Sequence, residues 1–136
     1  MQIVPYLSFN GQCEEAFRFY EKTLDGKILM MIDHGGTPAA EQVPAEWHKK
    51  IMHARLSIGS QLLMGSDAPP GWYTKPGGFS VSLQIPHLHR AERVFNALAD
   101  GGTVMMPFEK TFWAERFGMV VDRFGTPWMV NCDPQS

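Results

Sequence analysis

The chain has 136 residues, of which 44% are hydrophobic and 19% are charged, and its formal net charge at pH 7 is -2. A chain of this length buries roughly two thirds of its unfolded surface, so we expect one globular domain with a real core. The sequence shows no basic cluster for phosphate contacts and no apolar run near the roughly eighteen residues of a membrane span. These features argue against nucleic-acid and membrane partners and predict a cytoplasmic protein.

The first half of the chain predicts a strand, a helix, a second strand and a hairpin. A strand is predicted over Ile3 to Phe9, and apolar residues at helical spacing follow from Ala16 to Leu24. The helix stops at Asp25-Gly26, where the glycine suits the left-handed position at a helix C-terminus. The other predicted elements are a strand near residues 28–31, a loop over about His34 to Lys49 with a short helix after Pro44, and a hairpin of residues 52–58 and 61–65.

The second half repeats the same order of elements. A strand over Phe79 to Ile85 precedes a helix that includes Ala91, which follows Ala16 by 75 residues. The same offset matches Met30-Met31 to Met105-Met106. A closing hairpin of residues 118–121 and 126–131 is predicted, with Asp122 as a turn residue that bonds its own backbone. The chain is thus an α+β domain of two βαβββ modules, about 1–67 and 78–136, joined by a Pro/Gly-rich linker over about 68–77.

The residues that carry a family resemblance are Pro5-Tyr-Leu-Ser-Phe-Asn10, Glu15-Ala-Phe-Arg-Phe-Tyr20, His53-Ala-Arg-Leu-Ser-Ile-Gly59, Leu63-Met-Gly-Ser-Asp67 and Asp122-Arg-Phe-Gly125. Together they resemble the PhnB-like branch of the vicinal-oxygen-chelate superfamily, which includes glyoxalases and bleomycin-resistance proteins. The match covers nearly the whole chain. The resemblance implies two modules that form a curved, mostly antiparallel sheet around a cavity, and it implies a homodimer.

The same resemblance bears on metal binding. In metal-dependent members, ligands come from the opening and closing strands of each module, and by register these positions fall on Pro5, Leu63 or Met64, Phe79 and Met129. None of these side chains offers the nitrogen or oxygen that zinc, nickel or iron takes from His, Glu, Asp or Gln. We therefore expect no divalent metal at the usual positions.

Similar sequences have been described as ubiquinone-biosynthesis methyltransferases. Binding the nucleoside half of S-adenosylmethionine would favour a Gly-rich turn between a buried strand and a helix. The first part of this chain has no such turn. We therefore do not predict a methyltransferase.

The predicted function is binding of a small apolar or aromatic molecule, without the inherited metal site. Met64, Phe79, Met129 and Trp113 are predicted as apolar contacts, with Trp113 as a lid. Arg116 is predicted to hold an anionic group of the ligand. The polar candidate is His53, which shares a strand face with Arg55 and Ser57 and is a weak candidate for a general base.

Two alternatives stay open, and with them the question of whether the protein is an enzyme. A metal-dependent lyase, isomerase or ring-cleaving dioxygenase would need a relocated site, made by a carboxylate and at least two of His34, His48, His53, His87 and His89. The loop and turn histidines are expected at the surface instead. A scaffold that works only through its dimer surface would have a filled interior.

Cys13 and Cys132 are expected to be reduced and structural.

Overall fold

The computed structural model describes residues 1–134, which form two compact units, Met1–Thr74 (unit 1) and Lys75 onward (unit 2). Unit 1 contains one helix packed on a four-stranded sheet. Its elements are β1 (Tyr6–Phe9), α1 (Cys13–Thr23), β2 (Lys27–Asp33), β3 (Ile51–Ile58) and β4 (Gln61–Asp67), with three 3-10 turns between β2 and β3 at His34–Gly36, Pro38–Gln42 and Ala45–Trp47. The turn after Pro44 confirms the short helix predicted there.

Unit 2 has the same order of elements. They are β5 (Val81–Gln84), α2 (Leu88–Ala99), β6 (Thr103–Glu109), β7 (Arg116–Val121) and β8 (Pro127–Cys132). The strand orders are β1-β4-β3-β2 and β5-β8-β7-β6, and in each sheet the first pair is parallel while the other two pairs are antiparallel. The predicted α+β class and the two βαβββ modules are confirmed. No helix in the described residues has the length and apolar character that a membrane crossing needs.

Each helix covers one face of its own sheet, and a glycine lets it approach closely. A Cβ on Gly65 of β4 would lie 2.7 Å from Cε1 of Phe17 on α1. A Cβ on Gly118 of β7 would lie 2.6 Å from Cε2 of Phe95 on α2. Because side chains alternate along a strand, the neighbours of each glycine point to the opposite side of the sheet. We call that opposite side the distal face of each unit.

One buried carboxylate organises the core of unit 1. Asp67 is 1% exposed and ends β4. Its Oδ1 accepts hydrogen bonds from the backbone N–H groups of Gly11 and Cys13, both at 2.9 Å, and its Oδ2 accepts one from Ile51 at 2.8 Å. A single side chain therefore joins the entry of α1, the start of β3 and the end of β4.

Asp122, in the turn between β7 and β8, is the corresponding buried acceptor of unit 2. Its Oδ1 accepts from the backbone N–H groups of Phe124 at 2.9 Å and Thr126 at 3.0 Å, and its Oδ2 accepts from Nε1 of Trp128 at 2.8 Å. The predicted role of Asp122 as a turn residue is confirmed. The carboxylate also fixes the orientation of the largest buried side chain, since Trp128 is only 1% exposed.

The residue that takes the left-handed conformation at the helix C-terminus differs from the prediction in unit 1. Gly101 has φ 75° and takes the expected left-handed conformation, but in unit 1 that conformation belongs to Asp25, with φ 53°. Gly26 is required for a different reason, because a Cβ there would lie 2.7 Å from the carbonyl oxygen of Ser57. A short polar side chain such as that of aspartate tolerates the left-handed region better than most.

The predicted match of Met30-Met31 to Met105-Met106 is wrong by one residue. In both units the outer strand has a bulge, which lies between Ile28 and Met30 in β2 and between Val104 and Met106 in β6. Met106 therefore corresponds to Met30. The shift arises because unit 2 has a second glycine, Gly102, before its strand begins.

Candidate binding site

The distal face of unit 2 carries a row of three methionines across neighbouring strands. The ladder pairs Ser82 with Met129, Met129 with Met119, and Met119 with Met106. We call these four residues the methionine row. Met119 and Met129 are half-buried and Met106 is 41% exposed. This places flexible, polarizable thioether groups on the side of the sheet away from α2.

Aromatic side chains flank the methionine row. Phe117 lies two residues before Met119 on β7 and so shares its face. The ring of Trp113 contacts that of Phe117 edge-on, with 5.5 Å between centroids, and contacts Phe112 at 4.7 Å. Trp113 is 46% exposed. The loop before β7 thus brings an indole next to the distal face of unit 2, and the role of Trp113 as an apolar lid stays a prediction.

A polar group lies in the next ladder row. Asn131, paired with Phe117 and Gln84, is 8% exposed. Its Nδ2 donates to Oε1 of Gln84 at 2.9 Å and to Oδ1 of Asp133 at 2.8 Å. Its Oδ1 is buried and has no hydrogen-bond partner among the described residues. No spacing pattern in the sequence predicts this acceptor, because a lone Asn in a strand has no distinctive spacing.

The distal face of unit 1 has the corresponding row with different chemistry. Here the ladder pairs Tyr6 with Met64, Met64 with Arg55, and Arg55 with Met30. We call these four residues the arginine row. Like the methionine row, it crosses its outer strand directly after the bulge. The two methionine positions in the outer and closing strands are shared, whereas Arg55 stands where unit 2 has Met119.

A histidine and a tyrosine pair beside the arginine row. The hydroxyl of Tyr6 lies 3.1 Å from Nδ1 of His53, and the two rings stack at 5.8 Å and 22°. Ala54 and Leu56 are buried and alternate with His53 and Arg55, which therefore lie on the distal face; Ile51, which is also buried, precedes an irregularity in the pairing of β3 with β2. This confirms the predicted alternation along the strand.

The predicted site residues are divided between the two units. Met129 and Trp113 belong to the distal face of unit 2, while Met64 belongs to unit 1. Phe79 precedes β5, which begins at Val81, and it is 52% exposed. Arg116 pairs with Cys132 and lies on the opposite side of β7 from Phe117. Its Nη1 donates to the backbone oxygen of Glu115 at 2.8 Å and to Oε1 of that residue at 3.2 Å.

The other histidines are dispersed. His34 is 4% exposed, so its predicted surface position is wrong; its Nε2 lies 3.1 Å from the backbone oxygen of Asp67. Nε2 of His48 lies 2.9 Å from the backbone oxygen of Ala40. His87 and His89 are exposed, as predicted, with ring centroids 6.1 Å apart. Within residues 1–134, no three His, Cys, Asp or Glu side chains meet as a metal site would require.

The residues at the inherited metal positions do not fit a metal. In the observed strand register, two of the predicted metal positions fall on other residues. Tyr6 rather than Pro5 pairs with Met64, and Ser82 rather than Phe79 pairs with Met129. The donors are then a phenol and a thioether in unit 1, and a hydroxyl and a thioether in unit 2. Divalent zinc, nickel and iron are held by imidazole, carboxylate or thiolate instead. The expected absence of a metal stays a prediction.

The strand-to-helix turns also do not fit S-adenosylmethionine. In unit 1 the turn contains one glycine, and the N–H groups of Gly11 and Cys13 donate to the Asp67 carboxylate instead of facing a ligand. In unit 2 the turn contains Pro86, which has no N–H group. Each sheet has four strands with one parallel pair, unlike the mostly parallel sheets that bind nucleotides at such turns.

Cys13 provides a test of the predicted structural role of the thiols. Burial raises its pKa, and the negative charges of Asp67 and Glu14 raise it further. We expect Cys13 in the native protein to resist Ellman's reagent at pH 8 and to react only as the chain unfolds. Because the pKa of this thiol is higher in the folded chain than in the unfolded chain, its contribution to the free energy of unfolding is fully present below the ordinary thiol pKa. That contribution declines as the pH rises above about 9. Peptide mass spectrometry would locate the modified thiol, and rapid labelling of Cys13 in folded protein would contradict the prediction.

Comparison with known proteins decides the family. A family model for 3-demethylubiquinone-9 3-methyltransferase matches residues 1–131. The chain belongs to that family. With its fold, this places it in the PhnB-like branch of the vicinal-oxygen-chelate superfamily, as the sequence motifs predicted.

Three similar proteins show how far this family likeness extends. The Escherichia coli protein YjdN is 37% identical, and the match covers 96% of this chain and 95% of YjdN. The crystal structure of protein PA1353 from Pseudomonas aeruginosa has 51% identity and a TM-score of 0.91, with 99% of each chain covered. The PhnB protein from Bacillus cereus has 22% identity and a TM-score of 0.82, covering 97% of this chain and 99% of its own, and shows the common fold.

Proposed function

We propose that this PhnB-like protein binds a small, largely apolar or aromatic molecule on the distal face of unit 2. The observation that carries the proposal is the methionine row, which places three thioether side chains side by side across β8, β7 and β6. Methionine adapts its shape to irregular apolar groups and makes favourable contacts with aromatic rings. The proposal concerns binding and assigns no reaction.

Two further features support a ligand of this class. Trp113 and Phe117 lie beside the methionine row and offer flat apolar surfaces. Oδ1 of Asn131 is an acceptor with no partner among residues 1–134, and a buried acceptor of this kind costs free energy until a donor reaches it. A ligand with an aromatic body and one N–H or O–H donor would therefore match both the apolar surface and the acceptor.

Several predicted contacts are not part of this proposed site. Met64 and His53 belong to unit 1, Phe79 precedes β5, and Arg116 lies on the other side of β7. The alternative of a relocated metal site has no supporting cluster among the described histidines and acids. The homodimer and the cytoplasmic location implied at the outset stay predictions.

Titration with the neutral fluorescent probe N-phenyl-1-naphthylamine tests the proposal. We expect its fluorescence to rise on binding the wild-type protein, because the probe leaves water for an apolar surface. Replacing both Met119 and Met129 by glutamine keeps the side-chain length but adds an amide. Affinity should then fall at least about tenfold, since burying an unpaired amide costs more than 1 kcal/mol.

A matched control uses Leu29, which is 56% exposed on β2 of unit 1. Leu29→Gln should leave probe affinity unchanged. Circular dichroism would establish that each variant keeps its fold. Equal affinity of wild-type protein and a folded Met119→Gln/Met129→Gln variant would exclude the methionine row as the binding surface.

A further inference from the structure

Arg55 lies in the centre of the distal face of unit 1, and no side chain in the described part of the chain pairs with its charge. It pairs with Met64 on one side and Met30 on the other, and it is half-buried. The Nε atom of Arg55 is buried and has no hydrogen-bond partner within residues 1–134. In the same residues the guanidinium group has no acidic partner. Partly buried guanidinium groups are normally paired, because removing their hydration is costly. An unpaired one is therefore a candidate for binding an anion.

The surrounding face strengthens the positive potential at Arg55. The acidic side chains of the neighbouring strands β2 and β4 accept hydrogen bonds from backbone groups instead of pairing with Arg55. Asp33 accepts a hydrogen bond from the N–H group of Gly36, and Asp67 accepts its three backbone bonds on the helix side. Lys27 pairs with Ser57, which shares the face of Arg55, and so adds a second cation at its rim. No described acid compensates Arg55 on this face.

The Tyr6–His53 pair provides a second polar group at the same place. His53 lies two residues before Arg55 on β3, so their side chains point to the same side. When Tyr6 donates its hydroxyl hydrogen to Nδ1, the neutral ring carries its proton on Nε2. Nε2 then acts as a donor, and it has no partner among the residues described. The stacked phenol holds the imidazole in this orientation.

We propose that the distal face of unit 1 binds a small organic carboxylate, held by Arg55 and Nε2 of His53. One guanidinium and one neutral donor match a single negative charge, and a planar carboxylate accepts two parallel hydrogen bonds from a guanidinium. Met30 and Met64, which flank Arg55 in the ladder, offer thioether contacts to a short apolar chain on that carboxylate. The proposal rests on residues of unit 1 alone and does not depend on the function proposed for the methionine row.

Nuclear magnetic resonance of the whole protein tests the proposal directly, because the Nε–H group of Arg55 has its own signal. Hexanoate should shift this signal in a saturable manner. Hexanamide, which has the same chain without the charge, should not. Inorganic phosphate serves as an anion without an apolar chain and should bind more weakly than hexanoate. An unmoved Arg55 signal with hexanoate, or equal responses to hexanoate and hexanamide, would overturn the proposal, as would preferential binding of phosphate.

Calorimetry on variants provides an independent readout. Arg55→Met should weaken hexanoate binding at least about tenfold, since a charged hydrogen bond is lost. The substitution is compatible with the fold because Met119 occupies the corresponding position in unit 2. His53→Ala should cause a smaller loss of affinity. The control Arg93→Met removes an exposed arginine on α2 and should leave affinity unchanged. Equal losses for Arg55→Met and Arg93→Met would mean that hexanoate responds only to net charge, which would overturn the site.

Discussion

Replacing Asp67 by alanine should lower the free energy of unfolding by about 4 kcal/mol. The three backbone N–H groups of Gly11, Cys13 and Ile51 would lose an acceptor that is 1% exposed, at about 1–3 kcal/mol each when counted alone. The losses add incompletely because the three groups share one acceptor side chain. Urea unfolding followed by far-ultraviolet circular dichroism measures the change.

Two companion variants separate the hydrogen bonds from a general effect of mutation. Asp67→Asn keeps one oxygen, so it can satisfy Gly11 and Cys13 while its NH2 group opposes the N–H of Ile51. Its loss of stability should be intermediate. Glu41→Ala, at an exposed position, should change stability by less than about 0.5 kcal/mol. Faster hydrogen exchange at the three amides in Asp67→Ala would localise the effect, and a loss below about 1 kcal/mol would contradict this account of Asp67.

Replacing Trp128 by alanine should be similarly damaging in unit 2. The side chain is almost completely buried and lies in the central strand β8, so its removal leaves a large cavity, with an expected loss of about 3–5 kcal/mol. Trp128→Phe keeps most of the ring volume but removes the N–H donor to Asp122. We expect a smaller loss of about 1–2 kcal/mol for that variant.

The contrast between these variants shows whether packing or hydrogen bonding dominates at Trp128. Trp72→Phe is a suitable control, since Trp72 is 79% exposed and its replacement should be almost neutral. Circular dichroism is preferable to tryptophan fluorescence here, because each variant removes one of the four indoles of the chain. If Trp128→Ala were no less stable than Trp128→Phe, the cavity explanation would fail.

The architecture was predictable because it follows from short-range patterns. Helical spacing located α1 and α2, and the repeated order of elements gave the two modules. The exact pairing register of the strands was harder to predict from the sequence. The additional Gly102 moved the outer strand of unit 2 by one residue, and a shift of one residue exchanges the two faces of a strand. In the opening strands, too, the ladder has Ser82 and Tyr6 where the sequence predicted Phe79 and Pro5, because pairing with the closing strand rather than local spacing sets this register.

The site itself was harder to predict, because its residues are brought together by pairing between distant strands. Arg116 was predicted as a ligand contact because it lies near two aromatic residues in the sequence, but the alternation of side chains along β7 places it on the side opposite Phe117. The charge of Arg55 was visible in the sequence, but nothing in the spacing showed that it lacks a partner. The burial of His34 was also hidden, since its loop position concealed the contact of its ring with the carbonyl of Asp67.

The bulges in β2 and β6 also affect how the molecule behaves at high concentration. Both strands are outermost in their sheets, and β6 exposes Val104, Met105 and Met106. A regular apolar edge of this kind would be a template for aggregation, because its free N–H and C=O groups recruit strands from other molecules. The bulge interrupts the spacing of those groups, and Pro107 removes one donor altogether. We therefore expect these irregularities to limit strand pairing between molecules at the exposed, methionine-rich β6.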